Sequence, residues 1–241
     1  MHDAAPPHAA IGIIAGSGPE AGIDLWAKVL RANKLRIAAA YRGDLDAPRV
    51  VVVSEPGLGL SMDLARHDAA VWAVLQSALD LLAPQVGVYA IACNTLNWYA
   101  PRIAGLGLTA ELVSFQAVLA DWVRSNGITR LALLGAGPVM AMDQWSVYSG
   151  LPELVEVELP GDPVALHRLI EDVKRLGADA PGLRARFAEL VAGLSSEVVV
   201  LACTELPLIA GTDTGKRLVD VTDLVAEALV ERVLAPREAM R

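Results

Sequence analysis

Residues 88–98, VYAIACNTLNW, and residues 198–208, VVVLACTELPL, are near echoes of each other, and their reading decides the fold. Each is an apolar run that ends in one of the chain's two cysteines, Cys93 and Cys203, and then changes to small hydroxyl or amide residues. A continuous Val/Ile/Leu-rich run bounded by polar punctuation suits a parallel strand covered on both faces. Three more runs have this character: IGIIAG at 11–16, RVVVVSEPG at 49–57, stopped by Pro56 and Gly57, and ITRLALLG at 128–135. Helical periodicity fills the intervals, from Pro19 onward, from Met62 to Leu82, from Phe115 to Ser125, and over 163–177 and 181–194. Strands alternating with helices predict an α/β protein with parallel-rich sheets.

The order of these elements occurs twice. Gly18-Pro19 returns as Gly137-Pro138, 119 residues on, and Cys93 returns as Cys203, 110 residues on, which predicts an internal duplication. Two similar α/β domains related by a pseudo-twofold would then put an active site in the cleft between them. The expected division assigns 10–114 and 210–235 to the first domain and 115–209 to the second, with 1–9 as a disordered lead-in. Ligands of parallel α/β sheets sit at the carboxyl ends of strands, and both cysteines close a strand.

Composition removes several function classes. A formal net charge of -8 offers no basic footprint for nucleic acid or an anionic membrane surface. Gln76 and Asp80 interrupt the greasiest region, so no window spans a bilayer, and the lead-in MHDAAPPHAA lacks the pattern of a signal peptide. A cytoplasmic protein is expected, with free rather than disulfide-bonded cysteines. With 54% hydrophobic but only 5% aromatic residues, the core must be aliphatic, and the composition is compatible with a homodimer. No metal site is expected, since no Cys or His stands at ligand spacing from either cysteine; His67 and His167 are isolated, and His2 and His8 fall in the lead-in.

Two thiols facing one another have a specific use. Inverting a carbon stereocentre without a cofactor needs a base on one face and an acid on the other. One cysteine would be the thiolate and its partner the thiol, and because a free thiol titrates near ~8.5, donors must stabilise the charged form. Buried cysteines also serve as small hydrophobes, but two of them matched in local context and in place within a duplicated unit favour chemistry. Gly16-Ser17-Gly18-Pro19-Glu20-Ala21 fits the dinucleotide fingerprint as well. The ring of Pro19 stands where that loop's backbone would approach a pyrophosphate, and no acidic residue closes an obvious second strand. No serine lies in a nucleophile-elbow context.

The runs IGIIAGSGPEAGIDLW, IACNTLNWY, LACTELPLI and LVDVTDLVAEALV resemble the aspartate/glutamate racemase family, cofactor-independent amino acid racemases, from about Ile11 to Val230. The resemblance implies an enzyme of two similar α/β domains, with Cys93 and Cys203 as the acid/base pair and no cofactor. It implies that Asn94, Thr95 and Thr204 hold the substrate α-carboxylate and that Lys174 reaches the site, while Ser17, in the loop after the first strand, is expected on its position to touch ligand. It also shows departures. Aspartate-specific members carry a side-chain arginine clamp near the position of Ser61, and a histidine commonly stands at the position of Asn97. Glu55, at the end of the second strand, would repel a second substrate carboxylate and accept hydrogen bonds from a cationic group. The expected substrate is therefore an amino acid not restricted to aspartate. The alternatives are a single-cysteine isomerase or decarboxylase of the same fold, or a binding protein without turnover.

Overall fold

The computed structural model describes residues 10–211 and 214–238, so the lead-in expected at 1–9 lies outside the described residues. Two four-stranded sheets form, both wholly parallel. The first contains β1 (Ile11–Ala15), β2 (Val50–Ser54), β3 (Val88–Ile91) and β4 (Glu111–Leu112), in the order β2-β1-β3-β4. The second contains β5 (Arg130–Gly135), β6 (Glu156–Glu158), β7 (Val198–Ala202) and β8 (Arg217–Asp220), in the order β6-β5-β7-β8. The two orders are the same once the second set is counted from its own first strand, as a duplicated unit requires.

The helices are α1 (Pro19–Ile37), α2 (Leu64–Leu82), α3 (Ala100–Ala104), α4 (Phe115–Ser125), α5 (Gly137–Met140), α6 (Pro163–Leu176), α7 (Leu183–Ala192), α8 (Leu206–Ile209) and α9 (Val221–Glu238). Local chemistry sets several of their ends. Pro19 and Pro163 occupy the first turn of α1 and α6, where a missing N–H costs nothing. The Asp162 carboxylate accepts from the Ala165 N–H at 2.8 Å and caps α6, which stops at Gly177 with φ 83°.

Each sheet is covered on both faces, which explains its continuous apolar strands. Ile14, Ile91 and Tyr89 face an outer layer built on α2, with Leu75, Leu79 and Leu82 fully buried. Leu134 and Leu201 face an outer layer on α6 and α7, with Leu169, Ile170 and Phe187. Between the sheets lies one shared core. Ile11, Ile13, Leu131, Leu133 and Val200 meet Leu25 and Val29 of α1, Phe115 and Leu119 of α4, and Val225 and Leu229 of α9. At about 1.5–3 kcal/mol for each fully buried aliphatic side chain, this common layer holds the two halves as one body.

Polar contacts reinforce the same junction. Lys28 of α1, only 5% exposed, is bonded to Asp24 and to Asp220 at the end of β8. The segment 210–235, expected with the first domain, therefore divides: Arg217–Asp220 pairs with β7 in the second sheet, while α9 packs on α1 and α4. Edge strands β4, β6 and β8 are two to four residues long and carry too little periodicity to be read from sequence. After α1 the chain makes a 3-10 turn at Ala38–Ala40.

Candidate active site

Cys93 follows β3 directly, and its N–H reaches back to the Ile91 carbonyl at 2.7 Å, which turns the chain sharply off the sheet. Asn97 holds that turn. Its Nδ2 donates to the carbonyls of Cys93 (2.9 Å) and Ile91 (3.2 Å), while its Oδ1 accepts from the Phe115 N–H at 3.0 Å. The residue at the family's usual histidine position is thus a fully buried backbone staple here. Cys203 follows β7 in the same way, and its carbonyl accepts from the Leu206 N–H at 3.1 Å at the start of α8.

The two cysteine loops meet across the junction of the halves. Thr204 Oγ1, next to Cys203, lies 3.5 Å from the carbonyl oxygen of Ala92, next to Cys93, and 3.2 Å from Glu205 Oε2. On the other side lies a series of polar contacts. Cys93 Sγ lies 4.0 Å from Ser61 Oγ, and Ser61 Oγ lies 2.9 Å from Ser17 Oγ. The carbonyl of Ser17 accepts from Lys174 Nζ, which also bonds Glu205 Oε1 at 2.5 Å, and Glu205 Oε2 accepts from Cys203 Sγ at 3.0 Å. These contacts lead from one sulfur toward the other, with the residue Ser17, through its hydroxyl on one side and its carbonyl on the other, as the link.

Electrostatics make the two thiols unequal. Burial pushes the Cys203 thiol well above its ordinary range, and the Glu205 carboxylate pushes it further, against an opposing pull from Lys174. Burial alone would lower Lys174, but the Glu205 carboxylate first, with the two cysteine sulfurs behind it, holds its ammonium above the usual lysine range. Both cysteines thus lie within electrostatic reach of one cation. Cys203 is 6% exposed and Cys93 is half-buried, so Cys203 is held as the thiol, the acid form.

The loop between β1 and α1 is shaped for this packing. Gly16 has φ +113°, and a Cβ there would stand 2.2 Å from the Glu55 carbonyl oxygen. A Cβ on Gly18 would stand 2.0 Å from Glu205 Oε1 and 3.1 Å from Lys174 Nζ. Contacts within the protein therefore account for the glycines of the fingerprint-like run. A cavity of about 210 Å³ opens here, lined by Gly18, Pro19, Val173, Lys174, Glu205 and Leu208.

The structure gathers Cys93, Cys203, Ser17, Asn94, Thr95, Lys174 and Thr204 at this junction, with Ser17, Asn94, Thr95 and Thr204 each buried. Glu55 differs. Its backbone packs beneath Gly16, and among the described residues its carboxylate forms no hydrogen bond or ion pair. His167 accepts from the Gly137 N–H at 3.1 Å through Nδ1 and anchors the loop after β5. Sequence reasoning missed two residues. Glu205 was in view inside the CTE motif, and the half-buried Lys174 needed a counter-charge; Tyr148, whose hydroxyl meets Asn94 Oδ1 at 2.5 Å, lies in a segment without pattern.

Two parallel sheets with a cysteine following the corresponding strand of each define a duplicated α/β protein. The Asp/Glu/Hydantoin racemase family profile matches residues 14–229, and the chain belongs to that family. No curated protein is significantly similar in sequence. Among solved structures, an aspartate racemase from Picrophilus torridus superposes with TM-score 0.78 at 20% identity, covering 93% of this chain and 94% of that one. An aspartate racemase homologue from Pyrococcus horikoshii OT3 gives TM-score 0.72 at 20% identity over 93% and 99% of the two chains. A glutamate racemase isoform from Bacillus anthracis gives TM-score 0.60 at 12% identity over 96% and 84%. These likenesses establish the two-sheet fold. No helix among the described residues is long and apolar enough to cross a membrane.

Proposed function

We propose that the chain is a cofactor-independent amino acid racemase or epimerase in which Cys93 and Cys203 act as opposed base and acid at the substrate α-carbon. The carrying observation is the meeting of the two cysteine loops, with the Thr204 hydroxyl 3.5 Å from the Ala92 carbonyl oxygen and polar contacts leading from one sulfur toward the other. In one direction a Cys93 thiolate removes the α-proton and the Cys203 thiol delivers its proton to the opposite face. The charge lost from Cys93 appears on Cys203, and the roles reverse for the other enantiomer. Asn94, Thr95 and Thr204 hold the α-carboxylate. Because such chemistry needs free thiols, we place the protein in the cytoplasm.

The same reading extends to the side chain. Ser61 stands where aspartate-specific relatives carry their clamp, and the charge of Lys174 is already matched by Glu205. An acidic side chain would therefore enter a site whose nearby cation is neutralised, which favours substrates with neutral or basic side chains.

Proton NMR in D2O on a panel of amino acids tests the proposal, with wild type compared with Cys93→Ser and Cys203→Ser. Loss of the α-proton signal from both enantiomers with wild type, abolished or confined to one enantiomer in each variant, is the expected result. Exchange that survives either substitution unchanged overturns the two-base assignment. No exchange across acidic, neutral and basic amino acids overturns the racemase reading.

A further inference from the structure

The segment between α5 and Leu151 belongs to the second half but lies against the first. Trp145 stacks on Trp98 with ring centroids 4.8 Å apart, and Trp98 Nε1 donates to the Gln144 carbonyl at 2.8 Å. Ser146 fixes the segment from within, its hydroxyl donating to the Val139 carbonyl at 2.8 Å and accepting from the Tyr148 N–H at 3.3 Å. Met142, with φ 52°, bends the backbone at its root. The outcome is that Tyr148, 2% exposed, is delivered across the junction to the residue after Cys93.

There the Tyr148 hydroxyl donates to Asn94 Oδ1 at 2.5 Å, and Asn94 Nδ2, fully buried, has no hydrogen-bond partner. A buried amide N–H without a partner costs about 1–3 kcal/mol, so an orphan of this kind marks a place where something else is to be bound. Burial also raises the Tyr148 phenol far above its ordinary value, so it remains a donor at any working pH. A phenol that donates can only face the amide oxygen, and the NH2 group must then point the other way.

We propose that Tyr148 is a positioning residue: by donating to Oδ1 it fixes the Asn94 amide so that Nδ2 is the free donor beside Cys93, ready for a ligand acceptor such as a carboxylate oxygen. This rests on the reading of the site as one for an amino acid. It makes the carboxylate contact of the first half depend on a side chain of the second.

Two measurements test it. In steady-state kinetics with the amino acid that the D2O panel identifies, Tyr148→Phe raises KM and lowers kcat/KM about tenfold, the size of one misplaced hydrogen-bond donor. In an Asn94→Ala background, where no amide remains to be oriented, Tyr148→Phe adds nothing further; an additive loss overturns the proposal. The second measurement needs no turnover. The Asn94 side-chain amide, assigned in a 15N–1H correlation spectrum by its absence from Asn94→Ala, gives two separate proton signals in wild type that broaden or move in Tyr148→Phe. An unchanged amide pair overturns the positioning role even if the protein proves to be a racemase. A changed pair in a protein without turnover keeps the positioning role while the racemase reading fails.

Discussion

Replacing Glu205 with glutamine removes one charge from the centre of the site and keeps the shape. Its side chain is 4% exposed and that of Lys174 21%, with Nζ 2.5 Å from Oε1, so the pair is largely screened from water. Removing one partner of a buried pair costs about 3–5 kcal/mol, because the remaining charge stays buried without compensation. The partial exposure of Lys174 and its bond to the Ser17 carbonyl place the expected loss at the low end, about 3 kcal/mol. For a chain of this size, about 2–4 °C per kcal/mol converts this to a fall in Tm of about 6–12 °C. Lys174→Met in the same chain removes the stranded ammonium, and a double-mutant cycle by urea denaturation should show a coupling above about 2 kcal/mol. A coupling below about 1 kcal/mol, the range of exposed pairs, would refute the reasoning. The same substitution has a chemical readout. With the carboxylate gone and Lys174 still present, the Cys203 thiol pKa falls, so in a Cys93→Ser background iodoacetamide should label Cys203 faster at a given pH than when Glu205 is intact.

Three further outcomes follow from separate features. Gly16→Ala puts a Cβ 2.2 Å from the Glu55 carbonyl oxygen at φ +113°, and soluble yield and Tm should both collapse, whereas Gly161→Ala, with open space around it, should leave both unchanged. The Cys203 thiol and the Tyr148 phenol are both raised by burial, so the folded chain keeps protons that the unfolded chain releases above about 8.5 and 10 respectively. Stability is whole below about pH 8.5 and falls as the pH rises, and Cys203→Ser should flatten the first part of that fall in urea midpoints taken from pH 7 to 10.5. A kinetic panel should find neutral or basic amino acids turned over faster than aspartate, and aspartate or glutamate turned over tenfold better than all others would sink the substrate assignment.

The fold was legible wherever burial on both faces wrote a continuous apolar run. β1, β3, β5 and β7 are such runs, β2 was legible from its run of valines although it is a part-exposed edge strand, and α4, read at 115–125, is Phe115–Ser125 in the structure. The short edge strands were not legible, because two to four half-exposed residues impose no periodicity and are placed by a neighbour already in the sheet. Nor was the parting of β8 from α9. That segment serves both halves, with Val219 in the second sheet and Val225 and Leu229 in the core they share, so its apolar residues signal burial without saying against which partner.

At the site, the sequence marks the two cysteines by repetition, and repetition speaks only for what the halves have in common. What makes the thiols different lies in what was not repeated. The CTE run places Glu205 two residues after Cys203, and CNT-LN places no acid after Cys93. Glu205 and burial together hold Cys203 as the thiol, whereas Cys93 is more open and its Sγ meets the neutral hydroxyl of Ser61. Duplication thus sets two equivalent positions in the two halves, and divergence at the next few residues gives them different surroundings. A pair of thiols with equal affinity for a proton would spend part of its time with both charged or both neutral, and neither state can take a proton from one face while giving one to the other. The asymmetry around Cys203 disfavours the state with both thiols charged, because burial and Glu205 keep the proton on Cys203.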